Sequence, residues 1–236
     1  MEAKPSQIDN ESLVEINREQ IENNVALKIE KLKQLPIIAK AFEMLDALPD
    51  YLRYHAKSHT EDVFHEAVLF GMVDGLGGKE IERLAVAAAW HDVGYLVRPK
   101  DNEEVAVELF EKEIAGLNLE YAEDVKKMIM DTKLKMTEKG PEILMTDPVS
   151  AHLLDADVSN FGRTDFLQKR DLLVEELKID LTDKDTKRKF LEFELALLKN
   201  HEWHTEAARK LRQEQKDKNT EELEKEIAGI DTSGQR

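Results

Sequence analysis

The chain has 236 residues, no cysteine and a formal net charge of −16. The missing thiols exclude disulfides, thiolate nucleophiles and cysteine-based zinc or iron–sulfur sites, so any metal must be held by His, Asp and Glu. The acidity opposes polyanions, which bind basic faces, and argues against large nucleic acids as partners.

Six prolines and ten glycines are few for this length, while Leu, Glu, Lys and Ala abound. No segment alternates with period two, so the expected fold class is all α. One core over residues 31–216 is expected, with a helical extension over 1–30 and a charged tail over 217–236. The first residues, MEAKPSQIDNES, lack the basic start and apolar run of a secretory leader. No stretch approaches about 18 consecutive apolar residues, so a cytoplasmic location without membrane contact is expected.

In chain order, residues 11–48 read as helix, polar at first and more apolar through LPIIAKAFEMLDALP, with Pro49 ending the run. Ser58 and Glu61 then form an S-x-x-E capping pattern, which puts Ser58 at the N-cap and His59 at the first helical position. Val63, Ala67 and Phe70 follow at i, i+4 and i+7, and Gly75, Gly77 and Gly78 stop the helix. His59 prolongs that stripe at the end where the helix begins. The helix GKEIERLAVAAAWHDVGY places Ile81, Leu84, Ala85 and Ala88 on one face, carries the spacing on to His91 and Asp92, and ends at Gly94. NEEVAVELFEKEIAGL is capped by Asp101 or Asn102, and EYAEDVKKMIMDT is a further helix. KLKMTEKGPE reads as an exposed, lysine-rich loop.

Asp147 and Pro148 read as the N-cap and first position of the next helix. At 100° per residue Asp157 lies on the side of Leu153 and Leu154, whereas Asp155 points away from Leu153. Spacing therefore favours Asp157 as the inward carboxylate, with Asp155 as its rival. The remainder, to about Lys216, is two or three amphipathic helices.

Three helices thus deliver His59, His91 with Asp92, and Asp157 to the ends of apolar stripes. A buried charge without a partner is costly, so such residues need hydrogen bonds, ion pairs or a metal. Taken singly, each histidine reads more simply as a hydrogen-bonded core residue. Together, two imidazoles and two carboxylates make a mixed N/O site for a divalent cation with room for water or a phosphate oxygen. Asp155 is a candidate for orienting a ligand histidine through its other ring nitrogen. Lys133 and Lys135, before the helix that carries Asp157, are candidates for substrate phosphate, as are Arg98 and Lys100; a solvated loop is the plainer reading for all four. His65 falls on the far side of its helix from His59. His152, His201 and His204 read as packing or surface residues.

In this order and context the residues resemble the HD-domain metal-dependent phosphohydrolases, whose signature is a His, a His-Asp pair and a distant Asp. His59 in YHAKSHTEDV, His91 and Asp92 in HDVGY, and Asp157 in DADVSNFG match it, and DNEEVAVELF, DTKLK and FELALLKNHEWHTEAARKL are similar to bacterial members of the superfamily. The likeness spans about Lys31 to Gln215 and extends distantly to cyclic nucleotide phosphodiesterases. It implies an HD-domain helical bundle in which His59, His91, Asp92 and Asp157 ligate one or two divalent ions (Mn, Mg, Co, Ni, Fe or Zn), Asp92 bridging if there are two. It also implies that His55 stands near the leaving oxygen as an acid, although Ala56 replaces the Asn that commonly follows that histidine.

The expected activity is metal-assisted hydrolysis of a small phosphate ester or anhydride, with a nucleotide as the leading substrate. A second expectation is a regulatory module that keeps the fold and metal and binds a phosphorylated ligand without turnover. A third is an acidic helical scaffold whose His and Asp residues only hydrogen-bond. A homo-oligomer is compatible with all three.

Overall fold

The computed structural model describes residues 10–133, 135–137, 140–142 and 145–232, with side chains described over 19–133 and 145–230. The chain is all α in class: among the described residues, ten α-helices make up nearly all of the regular structure. Helices α1 (Asn10–Lys33) and α2 (Pro36–Leu45) divide the first expected run. Pro36 causes the break, since proline disfavours helical backbone at the preceding residue, and Leu35 is extended at φ −67° and ψ 126°. Val25, Ile29 and Leu32 of α1 are buried, so the core begins inside the segment expected to be an extension.

Helix α3 (Lys57–Val73) buries His59, Val63, Ala67 and Phe70, the stripe that spacing predicts. It starts two residues earlier than expected, with Ala56 rather than Ser58 at the N-cap and no side-chain capping bond. The chain before it is pinned from elsewhere: the Glu176 carboxylate accepts the backbone N–H groups of Tyr54 and His55. Helix α4 (Gly78–Trp90) begins where the Glu80 carboxylate accepts the Gly77 N–H at 2.8 Å. Every residue from Leu84 to Trp90 is buried. The alanines among them let α2, α3 and neighbouring helices approach closely, and the Trp90 indole N–H donates to the Ile37 carbonyl.

After α4 the chain enters a 3-10 turn (Val93–Leu96). Gly94 lies inside it and serves close packing rather than termination: a Cβ there would stand 1.8 Å from the Asn102 carbonyl oxygen of α5 (Asn102–Glu113). Asp101 occupies the N-cap of α5 with φ 54° and no side-chain capping bond. After α6 (Ala122–Asp131), within the stretch expected to be a loop, β1 (Lys135–Thr137) pairs antiparallel with β2 (Gly140–Glu142), Met136 in register with Pro141. Helix α7 (Ser150–Asp157) starts three residues after Asp147. Asp147 does not cap it; its carboxylate accepts the Val149 N–H and pairs with Arg83 at 2.6 Å, forming a turn ahead of the helix.

Helices α8 (Phe166–Leu177), α9 (Lys184–Asn200) and α10 (Glu206–Thr232) complete the chain. No break falls at Lys216. Asn219 and Leu223 of α10 are buried, and Glu226 pairs with Arg170 and Lys187. Burial against α9 thus makes part of the expected tail a packed helix. Among the described residues no helix is long and apolar enough to cross a membrane.

Candidate metal centre

Helices α3, α4 and α7 pack on one another and bring His59, His91 with Asp92, and Asp157 together. Successive helical side chains diverge by 100°, so two neighbours cannot both face one point from a regular helix. The backbone resolves this at Asp92, which leaves helical geometry at φ −102° and ψ 1° and opens the 3-10 turn. His59, His91 and Asp92 are buried, while the Asp157 side chain is 29% exposed, so the cluster opens to solvent on the α7 side.

His59 Nε2 lies 3.0 Å from Asp157 Oδ1 and 3.5 Å from Asp92 Oδ2. His91 Nε2 lies 3.2 Å from Asp92 Oδ2 and 3.6 Å from Asp157 Oδ1. Donor atoms about 2.0–2.2 Å from one metal ion stand roughly 3.0–3.5 Å apart in octahedral or tetrahedral arrangement. The four separations fall close to that range. One donor atom each from His59, His91 and Asp157 lies within 4.8 Å of the others, so the group could hold a metal ion.

The ring proton of His91 sharpens this. His91 Nδ1 is 2.8 Å from the Ala88 carbonyl oxygen. A carbonyl can only accept, so Nδ1 carries the hydrogen. Nε2 then faces two carboxylates either with a second proton or with a lone pair that needs a cation. Neither His91 Nε2 nor Asp92 Oδ2 has a hydrogen-bond partner of good geometry, and both are sealed from solvent. Burial opposes the charged form of His91, but the adjacent Asp92 and Asp157 carboxylates outweigh it and hold the imidazole well above its ordinary pKa. Against the same opposition from burial, the bond to His59 and the neighbouring His91 imidazole hold Asp157 far below the usual carboxylate range.

Beside the cluster, His55 Nδ1 lies 2.6 Å from Glu176 Oε1, and Glu176 Oε2 accepts the Tyr54 and His55 N–H groups at 2.8 and 3.0 Å. The imidazole stacks on Tyr95 with centroids 4.4 Å apart and planes at 17°. The bond to Glu176 fixes the ring and leaves Nε2 as its uncommitted nitrogen. Burial lowers the His55 pKa, but the Glu176 bond and nearby carboxylates outweigh it and raise the value. Glu176, from α8, has no signal in the sequence; VEEL reads as an ordinary charged helix face, and the partner is 121 residues away.

The other candidates fall elsewhere. Asp155 accepts from His204 N, Thr205 N and Thr205 Oγ1, and so anchors the start of α10 rather than a ligand imidazole; Ala88 orients His91 instead. Lys133 is held by Asp101 at 2.8 Å and by Glu104. The side chain of Lys135 lies outside the described residues. Arg98 is exposed and donates to the Lys100 carbonyl oxygen in its own loop. His152 pairs with Asp74, and half-exposed His65 lies beside Glu66. His201 packs edge-on against Phe161 and Trp203, and His204 is exposed.

Fold and cluster together define an all-α domain with a His/Asp group suited to a metal ion. Compared with known proteins, the chain matches no family model, no curated protein and no solved structure.

Proposed function

We propose that the chain is an HD-domain metal-dependent phosphohydrolase acting on a small phosphate ester or anhydride, with a nucleotide as the leading substrate. The ordered set His59, His91, Asp92 and Asp157 supports the family reading. The observation that carries the metal is the Nε2 of His91, which faces two carboxylates while Nδ1 is committed to Ala88. These four residues would hold the ion. Bound there, a divalent metal supplies activated water and neutralises charge on a phosphoryl group. Asp157, on the open side, keeps the centre accessible to substrate. His55, its Nδ1 fixed by Glu176 and its plane by Tyr95, is suited to give a proton from Nε2 to a leaving oxygen.

The test is metal analysis of the purified protein together with a phosphate-release screen over nucleotides, with Mn, Mg, Co and Ni supplied in turn. His91→Ala and Asp92→Ala should each remove bound metal and turnover while circular dichroism stays helical. Full turnover by a metal-free double variant overturns the proposal. One observation favours the second reading, a module that binds a phosphorylated ligand without turnover: Lys133 is committed to carboxylates and Arg98 is turned to its own loop. Nucleotide binding with no phosphate release under any of the four metals would select it.

A further inference from the structure

A cavity of about 390 Å³ lies apart from the histidine cluster, where the end of α9 and the first turns of α10 meet, lined by His201, Trp203, Arg209 and Lys216 and also by the carboxylates of Glu202 and Asp217, among others. Its defining feature is Lys216, which is 4% exposed. Arg83, Lys169, Arg170 and Arg212, which are only partly buried, are held by the carboxylates of Asp147, Asp62, Glu226 and Glu66 respectively. Lys216 differs. Its ammonium donates to the His201 carbonyl oxygen and lies 5.8 Å from the centroid of the Trp203 ring. No carboxylate among the described residues pairs with it, and neighbouring Asp217 accepts from Gln213 instead.

An ammonium has three donors and a full charge to satisfy, and burying it without a counter-ion is expensive. The same corner holds other unmet polar atoms. The Trp203 indole N–H and both ring nitrogens of His201 are buried without a hydrogen-bond partner, and the two rings touch edge to face at 4.4 Å. Arg209 donates to the Trp203 carbonyl oxygen and pairs with Glu206, so it braces the wall. Water fits a cavity of this size and could meet some donors, but it neutralises no charge. The volume falls in the range of small-molecule sites, which combine apolar walls with a few placed polar groups.

We propose that this cavity is a second ligand site, taking a small oxyanion (carboxylate or phosphate) whose charge pairs with the Lys216 ammonium and whose oxygens accept from Trp203 and His201.

The test uses the full chain at fixed ionic strength, titrated separately with inorganic phosphate, succinate and sodium chloride. Thermal unfolding and tryptophan emission are followed. Phosphate, succinate or both should give a saturable rise in unfolding temperature and a change in emission that chloride does not reproduce; which arm responds identifies the oxyanion. Lys216→Met keeps the length of the side chain and removes its charge, and should weaken the response about tenfold or more, the equivalent of losing one charged hydrogen bond. Trp203→Phe, which removes the indole N–H, should weaken the ligand-induced rise in unfolding temperature, the readout used for this variant, and serves if the lysine variant does not fold. The proposal is overturned if neither oxyanion acts beyond chloride, or if the folded variants respond as the wild type does.

Discussion

Asp155 and Asp157 stand two residues apart on α7 and are bound to different parts of the molecule. Asp157 Oδ1 meets His59 Nε2 at 3.0 Å, whereas Asp155 is fully buried and accepts three hydrogen bonds from His204 and Thr205. The first carboxylate belongs to the candidate centre and the second fastens α10 to α7. Asp155→Asn keeps the shape but turns a charged acceptor into a group with two donors facing N–H and O–H partners. It should cost about 2–4 kcal/mol in urea unfolding and leave metal content intact. Asp157→Asn should lower metal affinity by more than about 10–100-fold, the loss typical of an outer partner, at a smaller cost in stability. Metal loss confined to the Asp155 variant would reverse the assignment.

Metal should stabilise the folded chain by mass action. A ligand present at one hundred times its dissociation constant adds about 2.7 kcal/mol, provided that it binds only the folded state. Thermal unfolding with added Mn or Ni should therefore shift upward by several degrees, return to baseline with a chelator, and show no shift in His91→Ala. An unfolding temperature indifferent to every divalent ion would leave the cluster a set of buried ion pairs.

Local periodicity made the candidate centre legible, and distant contacts hid what surrounds it. His59 and His91 continue apolar stripes, and the 100° rule separates Asp157 from Asp155, because helical phase is a property of neighbours in the chain. The pattern at Ser58 does not mark the start of α3, because the preceding segment is pinned by Glu176, over a hundred residues away. Lys133 looked free because Asp101 and Glu104 lie about thirty residues upstream. Gly94 looked like a helix stop, whereas its cause is the backbone of α5. The end of the chain looked peripheral because its apolar residues are sparse, yet Leu223 is fully buried. In each case the deciding partner came from another element.

Glu194 offers a pH test away from the centre. The residue is 7% exposed, and its Oε2 has no hydrogen-bond partner. Burial pushes its pKa up to about 8; Arg170 opposes this, and Glu226 and Asp171 add to it. The unfolded value is near 4.5, so between roughly pH 4.5 and 8 the unfolded chain has released this proton and the folded chain still holds it. Stability must then fall as pH rises through that window, by an amount on the order of a few kcal/mol. Glu194→Gln, which imitates the protonated acid, should match the wild type near pH 5 and exceed it near pH 8.5. Parallel stability curves for the two proteins across this range would contradict the assignment.

Glu176 is a positioning residue under the proposed chemistry, because it touches His55 rather than the reacting atoms. Its carboxylate makes two separable contributions: it accepts the Tyr54 and His55 N–H groups, and it holds the proton on His55 Nδ1. Glu176→Gln retains one oxygen. If that oxygen stays on the backbone N–H groups, the amide nitrogen is left facing Nδ1, which disfavours the tautomer and the charged form of His55. General acid catalysis contributes about 10²–10⁴-fold, so turnover should fall by about 10²-fold, with metal stoichiometry unchanged. The pH profile should change as well: with the carboxylate's support gone, the His55 pKa falls, and the acidic form needed to protonate the leaving group is lost at a lower pH. A structural role alone would lower activity by destabilising the fold and leave the profile of the surviving protein where it was. Measuring turnover against pH alongside the unfolding temperature separates the two outcomes, and an unchanged profile at reduced activity would make Glu176 only a clamp on the chain before α3.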